Sequence, residues 1–242
     1  VPPNIMTPPA TTGPPTTTAN RRGGTAVATI GAVLNGSGGL AKAGTGTLVL
    51  TRENMIAGPL NVGRGTLRIG PGGSLSATTL TVAGNVSSLN VAGGTFVASG
   101  LATMTPGNSS IVIDSGMARF DGGVTCTNSR DAIFRVRGGN VSASSVFFPR
   151  TSDATINFGT GLLIQGGTTT IGSVSLGTVN SWGVMSVEAG SLAITGPLTV
   201  GHQVRSGRGG AFRVTGGELQ VSDSEFGVVM SRNPGTNPNN VS

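Results

Sequence analysis

Apolar and small polar residues alternate with period two along most of the chain, and the alternation resets at glycine pairs. Taking the second residue of each Gly-Gly-like pair as a mark gives Gly94, Gly116, Gly139, Gly167, Gly190 and Gly217, spaced by 22, 23, 28, 23 and 27 residues. Five positions before the marks stand Leu89, Ile111, Phe134, Leu162, Met185 and Phe212, and three before them Val91, Ile113, Val136, Ile164, Val187 and Val214. Two positions after the marks stand Phe96, Ala118, Val141, Thr169, Leu192 and Leu219, and four after them Ala98, Phe120, Ala143, Ile171, Ile194 and Val221. Of these 24 side chains only Thr169 is polar. The interleaved columns are mixed and mostly polar: Asn90, Val112, Arg135, Leu163, Ser186 and Arg213 in one, Ala92, Asp114, Arg137, Gln165, Glu188 and Thr215 in the other. Period-two alternation on both sides of a glycine predicts two short strands meeting at a corner, with one face inward and one toward solvent. Glycine supplies the backbone freedom such a corner needs.

A third short strand is predicted to close each unit, with Leu60-Asn61-Val62, Leu80-Thr81-Val82, Val174-Ser175-Leu176 and Leu198-Thr199-Val200 as candidates. A unit of about 20 to 28 residues holding three short strands is one coil of a solenoid. The fold class expected is therefore all-β, a right-handed parallel β-helix. Its coils hydrogen-bond to one another at about 4.8 Å, which stacks equivalent side chains into ladders and makes each inward column homogeneous.

Residues 38–70 read GGLAKAGTGTLVLTRENMIAGPLNVGRGTLRIG. This stretch resembles the passenger-associated transport repeat, also called the autotransporter-associated β-strand repeat. The pattern runs G-x-L-x-K-x-G-x-G-T-L-x-L-[ST]-G-x-N-x-[YF]-x-G followed by V-x-x-G-x-L-x-[LIV]. It is met by Gly38, Leu40, Lys42, Gly44, Gly46, Thr47, Leu48, Leu50, Thr51, Asn54, Gly58, Val62, Gly65, Leu67 and Ile69. Arg52 stands where glycine is usual and Ile56 where an aromatic is usual. The resemblance implies a β-helical passenger of an exported bacterial surface protein and carries no catalytic residues to transfer.

Three domains are expected: an extended arm over 1–24, a parallel β-helix over 25–231 and a loop-like tail over 232–242. The first 22 residues hold six of the 13 prolines as Pro-Pro pairs among threonines, a composition that favours extended polyproline conformation and builds no core. The chain opens at Val1, which points to a processed protein or an excerpt of a longer one. Neither TAVATIGAVL at 25–34 nor EFGVVMS at 225–231 is followed or preceded by an amphipathic capping helix. A solenoid with uncapped ends exposes unpaired backbone. The two explanations are excision from a longer solenoid or end-to-end stacking of subunits into a filament, with the arm exchanged onto a neighbour.

Composition narrows the functions. Charged residues are 10% of the chain and aromatics 4%, with 42 Gly and no Tyr; a globular enzyme carries about 25% charged residues. The net charge of +6 comes from scattered Arg and the single Lys42. Scatter argues against a nucleic-acid surface, and stacking aromatics beside Arg205, Arg208 and Arg213 are missing. Acidic glycans remain candidate partners. No apolar run is long enough to span a membrane. The one catalytic candidate is Asp114 beside Arg137 in the same outward column, with Asp131 and Arg135 nearby; a cross-coil surface ladder explains the same residues without chemistry. His202 and Cys126 are the only residues of their kinds, which leaves no partners for a metal site or a triad. Ice binding would need a flat outward Thr array, and the outward columns are mixed. No catalytic, cofactor or metal site is expected. The reading is a structural or adhesive protein of the bacterial cell surface or extracellular space that polymerises, against the alternative of a secreted carbohydrate-binding or polysaccharide-degrading β-helix.

Overall fold

The computed structural model describes residues 26–105, 107–127, 132–148, 161–177, 183–200, 210–222 and 228–230. The expected arm (1–24) and tail (232–242), together with Asp131, Trp182, His202, Arg205 and Arg208, lie outside the described residues.

Among those residues every regular element is a strand, and every strand pairing is parallel. The strands stack as a parallel β-solenoid with three faces. The first coil is Val27–Ile30, Asn35–Gly36 and Leu40–Lys42. The second is Thr47–Leu50, Glu53–Ile56 and Leu60–Val62. In the fourth, fifth and eighth coils the strands of the first two faces merge, as Ser87–Ala98, Ser109–Phe120 and Gly183–Ile194, and in the seventh Gly161–Leu176 runs through all three faces. The ninth coil is Gly210–Val214, Glu218–Val221 and Val228–Met230. All four candidate third strands are present with the bounds expected or within a continuous strand. Nine rungs at about 4.8 Å make a rod on the order of 40 Å long.

The inward columns behave as the alternation predicts. Leu89, Val91, Phe96, Ala98, Ile111, Ile113, Ala118, Phe120, Phe134, Val136, Leu162, Ile164, Thr169, Ile171, Met185, Val187 and Ile194 are fully buried, and Val141, Ala143 and Leu192 nearly so. Each fully buried aliphatic side chain contributes about 2 kcal/mol before entropy. Three rings meet within the core: Phe96 lies 5.6 Å from Phe120, which meets Phe134 at 5.5 Å edge to face. Within a column, rings meet small residues: Phe96 stacks on Ala118, and Phe120 sits between Ala98 and Ala143.

The corners differ from the expectation in one respect. In the merged strands the hydrogen-bond ladder does not break at the glycine pair; it shifts register there as a β-bulge, between Val91 and Thr95 and again between Ile164 and Thr168. Gly116, Gly139, Gly167, Gly190 and Gly217 take positive φ of 72° to 90°, whereas in the fourth coil it is Gly93, not the mark Gly94, that does so. A second constraint is stacking. A Cβ on Gly139 would overlap the carbonyl oxygen of Gly116, and one on Gly116 would overlap that of Gly94. The marks therefore form a ladder of their own, in which each glycine makes room for the backbone of the one below.

Loop length is distributed unevenly around the rod. The glycine corner occupies three residues in each coil from 92–94 to 215–217. The connection from the third face to the next coil varies from two residues between Leu60–Val62 and Gly65–Ile69 to twelve between Asn140–Phe148 and Gly161–Leu176.

Candidate functional site

The outward column that holds Asp114 is an inter-coil polar ladder. Asp114 Oδ2 accepts from Asn90 Nδ2 at 2.8 Å, and Asp114 Oδ1 accepts from Arg137 Nη1 at 3.1 Å. Both side chains of the Asp114–Arg137 pair keep substantial contact with solvent, 35% and 51%. Each carboxylate oxygen is engaged by a neighbouring coil, and the contribution to stability of such an exposed pair is under about 1 kcal/mol. The sequence places these two residues together correctly, and their geometry is that of a register clamp.

A second clamp lies further up the same face. Gln165 Nε2 donates to Glu188 Oε2 at 3.0 Å, Ser186 Oγ donates to Oε1 at 3.1 Å, and Arg213 Nη2 reaches Oε1 at 2.9 Å. The Gln165 hydrogen bond above all holds the Glu188 carboxyl below its ordinary value of 4.5; burial opposes it, and the Ser186 hydroxyl and the Arg213 guanidinium add to the lowering. Arg213, a candidate nucleic-acid contact in the sequence, is thus tied to Glu188, and Phe212 packs against the core. Arg119 pairs with Asp121 at 3.0 Å on another part of the surface. No group of three His, Cys, Asp or Glu side chains among the described residues is placed to hold a metal. Cys126 is buried in the inward column that contains Met104.

The outward columns are not uniformly solvated. Leu163, Val184 and Ser186 are buried although the alternation turns them outward. Arg135, in the same column as Leu163, has its Nε buried without a hydrogen-bond partner.

Two buried polar residues were legible only as motif matches. Lys42 occupies an inward position in line with Val62 and Val82. Its ammonium donates to the carbonyls of Ala43 (3.0 Å), Gly44 (2.8 Å) and Arg64 (2.9 Å), so the corner between two coils is tied from inside. Burial lowers its pKa from the ordinary 10.5. Asn54 lies in the column of Leu75 and Phe96. Its Oδ1 accepts the Leu34 N–H at 2.9 Å, and its Nδ2 donates to the carbonyls of Arg52 and, at 3.0 Å, of Ser74. One side chain thus bridges three successive coils, with Arg52 contributing its backbone where the repeat pattern has glycine.

The two ends carry the most unusual surface. In the first and last coils, each strand pairs with a neighbour on one side only among the described residues. Ala28, Ile30 and Leu34 at one end, and Phe212, Leu219 and Val221 at the other, are only partly buried although they continue fully buried columns. Val214 is 45% exposed where its column-mates Val187 and Ile164 are completely buried. Of the exposed large apolar residues, Val27 and Val33 are also in the first coil.

No family model, curated protein or solved structure matches the chain.

Proposed function

We propose that the protein is a non-enzymatic structural and adhesive component of the bacterial cell surface or extracellular space, related to the autotransporter-associated repeat proteins, that polymerises end to end into a filament. The observation that supports this reading is the pair of end coils, whose strands pair on one side only among the described residues and whose apolar columns stop short of full burial there. An open head-to-tail contact between such ends propagates without closing. Residues 1–24 directly precede the first strand and are proposed to strap the neighbouring subunit across the joint. Asn90, Asp114 and Arg137, and likewise Gln165, Glu188 and Arg213, are engaged with one another in clamps across coils, which supports a surface built for register rather than for turnover.

The test is negative-stain microscopy of the purified chain with light scattering over a concentration series. Filaments a few nanometres wide whose mass grows with concentration are expected, and deletion of residues 1–24 is expected to abolish them while leaving the β-rich circular dichroism spectrum intact. Discrete rods of monomer mass at all concentrations would overturn the reading.

A further inference from the structure

We infer that the filament joint is a continuation of the solenoid itself: the ninth coil of one copy adds, parallel and in register, beneath the first coil of the next. The inference rests on the end-to-end reading and specifies its partner and register.

The first argument is column chemistry. Along the first face one inward column begins at Ala28 and ends at Phe212, and the other begins at Ile30 and ends at Val214. Along the second face the columns run from Leu34 to Leu219 and from Gly36 to Val221. Joining the ends in register sets Phe212 over Ala28, Val214 over Ile30, Leu219 over Leu34 and Val221 over Gly36. In two of the four pairs, Phe212 with Ala28 and Val221 with Gly36, a large residue meets a small one, as Phe96 meets Ala118 and Phe120 meets Ala98 and Ala143 inside the stack; the other two set aliphatic on aliphatic, as Val91 pairs with Ile113 and Leu162 with Met185. Close packing favours such pairs because neither a void nor an overlap is left.

The second argument is edge polarity. Every described pairing is parallel, and among the described residues the edge of the first coil without a partner is opposite the one that faces the second coil, while that of the ninth is opposite the one that faces the eighth. Head-to-tail docking therefore extends the existing ladder, whereas contact between two like ends would set strands antiparallel and break every column. Charge places no obstacle on the first two faces: residues 26–41 contain no charged side chain, so Arg213 and Glu218 meet none of like sign there, and Lys42 on the third face is turned inward onto the carbonyls of Ala43, Gly44 and Arg64.

Cysteine cross-linking of the full chain tests the register. Asn35 and Gln220 are exposed outward residues on the second face and become neighbours across the proposed joint. Cα atoms of paired parallel strands lie within the range a disulfide spans, whereas positions two residues apart along a strand add about 7 Å and fall outside it. The double variant Asn35→Cys/Gln220→Cys is expected to give a ladder of covalent multimers under mild oxidation, reversed by dithiothreitol. The offset pair Asn35→Cys/Glu218→Cys and each single variant should give at least tenfold less. All four are first checked for the wild-type circular dichroism spectrum and for filaments. Filaments with cross-links from the offset pair, or from one single variant, would overturn the register or the polarity while leaving polymerisation standing. Filaments with no cross-link from the in-register pair would do the same. If no variant or wild-type sample polymerises, the end-to-end reading itself falls and this inference with it.

Discussion

Thr169 is the one polar side chain in the inward columns flanking the glycine corners, and replacing it with valine should strengthen the protein. It is fully buried between Val141 and Leu192, and its hydroxyl has no hydrogen-bond partner. A buried hydroxyl without a partner costs about 1–3 kcal/mol by mutational measure. Valine has the same shape, so no cavity opens and no strain is added, and its extra methyl gains roughly 0.8 kcal/mol of transfer energy. Part of the desolvation cost is recovered in any compact unfolded ensemble, so a net stabilisation of about 1–2 kcal/mol is expected. For a chain of this size that raises the melting temperature by about 2–8 °C. The assay is thermal and guanidinium denaturation of wild type, Thr169→Val and Thr169→Ser. Serine keeps the stranded hydroxyl and removes the methyl, so it should be the least stable of the three. A valine variant that is less stable than wild type would refute the reasoning, because it would mean that the hydroxyl is satisfied in the folded state.

Three further outcomes follow from the same structure. Lys42→Met places an apolar residue in line with Val62 and Val82 yet should loosen the first two coils by about 2–3 kcal/mol, because three backbone carbonyls lose their donor; hydrogen exchange at 40–42 and 60–62 reads it, and unchanged protection would contradict it. Gly139→Ala should cost about 3 kcal/mol or more, from a side chain at φ +78° and the overlap with the Gly116 carbonyl, seen as a lower denaturation midpoint. The Glu188 carboxyl is held below its unfolded value of 4.5, so its contribution is complete above pH 4.5 and fades as the pH falls through the lowered folded value. The stability difference between wild type and Glu188→Gln should accordingly shrink on acidification, and a difference that grows would show the sign to be wrong.

The inward columns were readable because a parallel stack copies each position onto the next coil, so that one noisy period-two pattern is repeated until it stands out. The same redundancy located the third strands at 60–62, 80–82, 174–176 and 198–200. What resisted reading were residues whose role is set by a single neighbour. Lys42 and Asn54 sit at inward positions yet are polar, and only the carbonyls that a corner turns inward explain them. Leu163 and Ser186 alternate outward yet are buried, since alternation gives a direction and says nothing about what lies beyond it. The bulged corners were missed because glycine signals freedom of φ equally for a break and for a continuous bend. Asp114 and Arg137 share one outward column and so are legible as a pair, whereas Asn90 reaches Asp114 from the adjacent column, a diagonal contact that column alignment does not give.

The uneven distribution of connections gives this rod a seam. Where the glycine corner holds at three residues from the fourth coil to the ninth, the edge between the third face and the following coil varies from two to twelve along the chain. Doubling a loop costs only about 0.6 kcal/mol of closure entropy, and nothing in the columns has to move. Along this edge the coils are hooks on a rack, each able to carry a different peptide without disturbing its neighbours. Sequence change can accumulate there while the scaffold stays the same, and a foreign segment spliced between Val82 and Ser87 would be displayed on one side of the rod at a known height.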